Sequence, residues 1–363
     1  MLPDESRFES DPTAVVGEPA VLPDGWTVDS PDPGDRFDLA RLTQLLRSHE
    51  RHGRGWPGSG VDDVMVEVAE PGLRTRENIV VRDEERCIRA WGSAHDRAGG
   101  RMLYAHVVER GLPERTAQAC SDVLFAWAEG QAREVGRARG LDVQQIDSGA
   151  FADDERQHRW LETAGFERVR HWWQMKRPVT PEEATLVPST ELWEDRGVRF
   201  RQVRRGPDGM PDEDDLRELH QVLEDAFQDH FNSREETFEE FLHRLRLDPG
   251  HRWDHWWLAE LIEGLAEGEP PRPVGALIGA VSESPNGPDG SYVEYIGVLG
   301  DARGRGVAKG LLRTVIADAA SRGHDRVALE VDADSPTGAS ELYVGLGWQT
   351  SYVTESWHRD VPV

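Results

Sequence analysis

Apolar positions along the chain run through the same succession of strand-like and helix-like patterns twice. In the first round, 26–28 reads as a short strand, and Leu39, Leu42, Leu45 and Leu46 mark a helix. Strands follow at 79–81, 88–94 and 102–108, then a long helix at 117–132 and a strand at 143–146. A helix at 156–164 is stopped by Gly165-Phe166, and 172–176 closes the sheet. The second round starts with a strand at 198–203, helices at 216–227 and 238–245, and strands at 256–261 and 274–281. Then 292–299 alternates: Tyr292, Glu294, Ile296 and Val298 point one way, Val293, Tyr295 and Leu299 the other. From Val307 the apolar residues recur at 307, 308, 311, 312, 315, 316, 319 and 320, a helix with one buried face that Gly323 ends. Residues 327–331 form a strand, and Ser335 before Pro336 starts a last helix that Gly347 terminates.

Two rounds of similar length and order imply an internal duplication. The expected architecture is mixed α/β: two similar domains, each a largely antiparallel twisted sheet with helices on both faces. The boundaries read as an acidic tail at 1–24, a first domain at 25–178, a Pro-rich linker at 179–197 and a second domain at 198–363.

Charge sharpens this picture. The 363 residues carry a formal charge of -26, which excludes nucleic acid and anionic membrane as partners and favours an amine substrate. No apolar run approaches membrane-spanning length and the start lacks a leader pattern; with only Cys87 and Cys120 present, a cytoplasmic protein without a disulfide framework is expected. Nothing in the pattern specifies an oligomeric state. Against the acidic background, 303–313 holds Arg303, Arg305, Lys309 and Arg313 and no acid. The chain has two lysines, Lys176 and Lys309, and one of them lies here.

That segment joins a strand to a helix through Arg303-Gly304-Arg305-Gly306-Val307-Ala308. Glycines bring backbone N–H groups close to a ligand, and the helix start adds unpaired donors, a combination that suits a pyrophosphate. No G-x-x-x-x-G-K-[ST] string occurs. Gly304, Gly306 and Gly310 give G-x-G-x-x-x-G with Asp332 after the next strand, which leaves a dinucleotide site as an alternative. The pattern [RQ]-x-x-G-x-[GA], written as Arg303, Gly306 and Ala308, resembles the loop of GNAT-family acyltransferases. Further on, Ala339, Leu342, Tyr343, Gly347 and Trp348 match a second family signature; Ser335 stands where Asn is usual, with one extra residue before Ala339.

The resemblance covers the C-terminal half and implies acetyl-CoA as cosubstrate, with no metal. By carry-over, 303–309 would hold the pyrophosphate, including Gly304, Arg305, Val307 and Lys309; a backbone N–H near Val298 and Leu299 would polarise the thioester, and Ser335 would face CoA. Tyr343 would be the general acid, with a core tyrosine as the plainer reading. Glu294, the carboxylate on the strand entering the loop, is a candidate base, an orienting group or a paired cross-strand residue. The first round departs at both signatures: its loop reads Pro113-Glu-Arg-Thr-Ala-Gln118 and Leu161 stands opposite Tyr343. With the resemblance to two-domain GNAT proteins of the mycothiol-synthase kind, this implies one active and one eroded half.

The expected function is transfer of an acetyl group to the amine of a small molecule. Two alternatives stay open: a CoA-binding regulatory or scaffold protein without turnover, and an enzyme using another acyl-CoA. His251 and His255, four apart, lack a third ligand on the same element and are not read as a metal site. Asp229-His230-Phe231 suits either the acceptor pocket or a helix cap.

Overall fold

The computed structural model describes residues 21–97, 101–185, 196–228, 236–265, 268–284, 287–334 and 338–363. Ser335 and Asp229-His230-Phe231 lie outside the described residues. In the first half β1 (Thr27–Asp29) leads to α1 (Arg36–Arg54) and α2 (Val61–Val68), then to β2 (Arg76–Arg82), β3 (Ile88–Arg97) and β4 (Arg101–Val108). It continues through α3 (Glu114–Arg139), β5 (Val143–Phe151), α4 (Glu155–Thr163) and β6 (Glu167–Pro178). The second half repeats the order with β7 (Val198–Gln202), α5 (Glu213–Phe227), α6 (Phe238–Arg246), β8 (His251–Leu261), β9 (Arg272–Ser282) and β10 (Gly290–Val298). After them come α7 (Val307–Ser321), β11 (Arg326–Asp332), α8 (Ala339–Gly345) and β12 (Gln349–Pro362).

Helix ends follow local chemistry. Asp35 accepts from the Phe37 N–H to start α1, and Gly55 at φ 89° ends it. At the start of α6, Thr237 and Glu240 close a reciprocal capping pair. Helix α2 was not read from the pattern. Its signal is Val61, Val64, Met65 and Val68 at helical spacing, and Val64 and Val68 bury against the sheet beside Leu42 and Leu45.

All the strands join one twelve-stranded sheet in the order β1-β2-β3-β4-β5-β12-β6-β11-β10-β9-β8-β7. The last strand of each half has been exchanged. β12 pairs with β5, β6 pairs with β11, and β6 and β12 run antiparallel at the centre. Residues 172–176 therefore close the second half's sheet rather than their own. Apolar clusters cover both faces of each half: α3 and α7 pack on one face, the helix pairs α1–α2 and α5–α6 on the other.

Two features of β10 position the site. Its register against β9 shifts between Val293 and Tyr295, so Glu294 is an inserted residue. The insertion flips the alternation: Val293, Ile296 and Val298 face α7, while Tyr295 faces α5 and α6. A side chain at Gly297 would likewise strike Leu223 and Ala226 of α5. The unbroken alternation read from the sequence across 292–299 is thus corrected by one bulge. Second, β10 pairs with β11 only at Ser291, Tyr292 and Val293, and the strands diverge beyond. β4 and β5 part in the same way after Tyr104, although β3 and β4 pair without any shift.

Candidate active site

The gap between β10 and β11 opens onto a backbone edge. The Leu299 N–H donates to the Val274 carbonyl at 2.9 Å, which makes Val298 and Gly275 a pair that exchanges no hydrogen bonds. The N–H and C=O of Val298, and of Ile296 two residues earlier, consequently point away from β9 into the gap. Val298 lies where the resemblance expected a carbonyl-polarising donor; the Leu299 N–H is committed to β9.

Ala302, fully buried, pins the loop that follows to the core. Gly304 and Gly306 take φ values of 79° and 83°, a region that costs other residues about 1–2 kcal/mol. Gly306 is the residue before α7, and no side chain caps that helix start. Its first N–H groups are left to solvent or a ligand. Arg303 and Lys309 are exposed, and Arg305 reaches Glu263 at 2.8 Å. Gly310 has another role. A side chain there would lie 2.1 Å from the Phe200 ring, so this glycine serves packing of α7 on β7.

Tyr343 sits on α8, whose end is fastened by the Trp348 N–H on the Tyr343 carbonyl at 3.1 Å. Its ring meets Trp348 edge-on at 6.0 Å, and burial pushes the phenol up to about 12. It therefore keeps its proton at neutral pH. The first half repeats the fastening with the Phe166 N–H on the Leu161 carbonyl at 2.9 Å. Leu161 is thus the counterpart of Tyr343 at the helix end.

Glu294 does not share a face with Val298, as the sequence pattern had it; the bulge turns it toward Arg244 and Asp248. Burial, and then the charge of Asp248 and a hydrogen bond with it, push its pKa up to about 8, with Arg244 opposing. Its Oε2 is buried without a partner. Arg244 donates to the Tyr295 hydroxyl at 2.7 Å and holds Glu236 through two nitrogens. Arg244 and Asp248 were missed from the sequence, because no motif marks the end of α6.

The first half bridges the end of its own gap with side chains, while a cavity of about 480 Å³ stays open beside residues 103–107 and 147–149. Arg156 donates to the Val108 carbonyl at 3.0 Å and stacks on Trp160, and Gln157 donates to the Gly149 carbonyl at 3.1 Å. Arg110 and Asp154 pair beside them. Aligned on Gly165 and Gly347, the counterparts of Arg156 and Gln157 are Gly338 and Ala339. The first-half loop has Pro113 before α3 and Glu114 in its first turn. Among the described residues there is no group of three or more His, Cys, Asp or Glu suited to a metal; His251 and His255 lie on β8, with His255 on Asp254 at 2.8 Å.

Residues 216–348 match the model described as the Acetyltransferase (GNAT) family. A mycothiol acetyltransferase of Thermobispora bispora is 33% identical over 202 residues, 54% of this chain and 59% of that protein. N-acetyltransferase 8B of Rattus norvegicus is 36% identical over 98 residues, 27% of this chain and 40% of that protein. The chain thus spans roughly half the length of these curated relatives. A GCN5-related N-acetyltransferase from Sphaerobacter thermophilus superposes with a TM-score of 0.68 over 94% of this chain and 98% of its own, at 22% identity. A tandem GNAT protein from the clavulanic acid biosynthesis pathway gives 0.63 over 93% and 99%, at 12% identity. Among the described residues no helix is long and apolar enough to cross a membrane. Residues 216–348 therefore constitute an acetyltransferase domain of the GNAT family, within a chain that has the tandem GNAT fold.

Proposed function

We propose that this chain is a cytoplasmic acetyl-CoA-dependent N-acetyltransferase for a small amine, with its active site in 198–363 and an eroded copy in 25–178. What carries the reading is a coincidence within one half. The uncapped glycine loop at 303–308, the gap-facing Val298 N–H and the buried phenol of Tyr343 occur together, and the first half lacks the loop and the phenol.

The parts divide the chemistry. The loop N–H groups with Arg303 and Lys309 bind the CoA pyrophosphate. The Val298 N–H polarises the thioester carbonyl, whose oxygen gains charge as nitrogen attacks. Glu294, with a pKa of about 8, takes a proton from the acceptor ammonium or a bridging water. Tyr343 gives its proton to the departing thiolate.

Thiol release from acetyl-CoA, followed across an amine panel with mass spectrometry of the products, tests this. Amine-dependent release with matching N-acetylated product is expected. Tight CoA binding without amine-dependent release would favour a regulatory or scaffold role. A donor profile led by a different acyl-CoA would reassign the acyl group.

A further inference from the structure

A cavity of about 230 Å³ lies on the seam between the halves, walled by Thr75, His95 and Arg97 of the first and by Glu236, Arg244 and Leu247 of the second. Its acids are already engaged. Asp96 pairs with Arg139, Glu236 with both arms of Arg244, and Glu240 caps Thr237 at 3.0 Å. Arg97 is left over. Among the described residues its side chain makes no ion pair or hydrogen bond, and its strongest electrostatic neighbour is another cation, Arg244. His95 beside it is held neutral, pushed down to about 3 by burial and the adjacent arginines. Glu236 attracts it without a direct bond and is already held by Arg244, so an anion entering the cavity would complete the pairing of Arg97. In a chain of charge -26, with acids abundant elsewhere, the vacancy is the unusual feature.

This cavity adjoins the proposed chemistry. The Arg244 Nη1 that walls it bonds the Tyr295 hydroxyl at 2.7 Å, and Tyr295 directly follows Glu294. We infer that Arg97 holds an anionic group of the acceptor, so that the substrate is a small amine that also bears a carboxylate or a phosphate. The inference rests on the acetyltransferase reading. It gives the eroded half a direct part in choosing the substrate: Arg97 is a specificity-determining residue that the first half lends to the second. Guanidinium pairs with such anions bidentately, which fixes the acceptor's orientation as well as its charge.

The test compares acceptors matched except for the anion: propylamine against β-alanine for carboxylate, ethanolamine against O-phosphoethanolamine for phosphate. The native enzyme is expected to show a higher kcat/KM for the anionic member of at least one pair, by roughly tenfold to hundredfold, the worth of a charge-assisted hydrogen bond. Arg97→Gln should collapse that ratio, mainly through KM, and Arg97→Lys should restore part of it. General damage to the fold lowers both members of a pair alike and leaves the ratio unmoved. Equal ratios in native enzyme and Arg97→Gln, or no anionic preference at all, overturn the inference while leaving the acetyltransferase reading intact. Should no amine be turned over, calorimetry with inorganic phosphate and with acetate decides without catalysis. Saturable binding to native protein that Arg97→Gln abolishes supports the anion site, and equal or absent binding sinks it.

Discussion

The halves of this molecule agree down to single hydrogen bonds and differ in what they leave open. The bond from Leu299 to Val274 is matched by Glu109 to Arg89, and Trp348 to Tyr343 by Phe166 to Leu161. Both halves part their parallel strands after three paired residues. In the second half, Gly338 and Ala339 take the aligned positions of Arg156 and Gln157, and Glu294 has been inserted into the strand. In the first, Arg156 and Gln157 satisfy the carbonyls of Val108 and Gly149 from within. Halves that share a fold thus satisfy the same backbone groups differently: where no ligand bonds them, side chains supply the hydrogen bonds. The exchanged strands also tie the halves together: β6 of the first half covers the edge of β11 in the second.

The comparison is broken most severely at the loop. Gly306→Glu puts a side chain and a negative charge where backbone N–H groups are proposed to meet pyrophosphate. The left-handed φ of 83° costs glutamate about 1–2 kcal/mol, so the fold should survive with a melting temperature lower by a few degrees. Acetyl-CoA affinity should fall at least about 100-fold, or ~2.7 kcal/mol, by calorimetry. Normal binding in this variant would show that the loop is not the CoA site.

Tyr343→Phe probes the next contrast, phenol against Leu161. The ring and its edge contact with Trp348 remain, so stability should move little. Turnover should drop by about 10²–10⁴, with acetyl-CoA binding nearly unchanged, because the lost interaction belongs to the transition state. Full turnover in steady-state kinetics would reduce Tyr343 to packing.

What could be read from sequence follows from which signals are local. The loop at 303–308 and the helix stops at Gly165 and Gly347 are written in residues whose backbone preferences act on the spot, and the Leu161–Tyr343 register followed from them. Strand exchange is invisible to periodicity, since β6 has the same alternation whichever sheet it joins. The bulge at Glu294 hides for a related reason: a half-buried glutamate fits an alternating strand in or out of step. Arg97 and Arg244 face each other across the seam from positions 147 residues apart, and no spacing rule links them.

Glu294 has no first-half counterpart, and Glu294→Gln sharpens what that insertion contributes. Turnover should fall by about 10². The native kcat/KM should rise with pH through about 8 as the carboxyl ionises between Asp248 and Arg244; the glutamine variant, measured with the same amine, should lack that step. Stability should respond too. A carboxyl raised from 4.5 keeps its proton in the folded state, so its contribution is full below about 4.5 and is lost as pH rises through about 8. Denaturant melts of the variant should show less of that decline. Identical pH profiles for both proteins would assign deprotonation to water.

The smallest effect separates the two differences that could have closed the first half. Arg156→Ala removes the plug without touching the loop. Val108 loses a hydrogen bond at 3.0 Å and Trp160 a stacked guanidinium, a cost of about 1 kcal/mol. Acetyl-CoA should still bind once per chain, because Pro113–Gln118 offers no glycine to a pyrophosphate and Glu114 would repel one. At 100 times the dissociation constant that single site adds about 2.7 kcal/mol of stability in native protein and variant alike. A second calorimetric site in Arg156→Ala would mean that the plug alone closed the first half and that its loop remained competent. An unchanged count of one would place the difference between the halves at the loop, with Arg156 and Gln157 acting only to satisfy the backbone of β4 and β5.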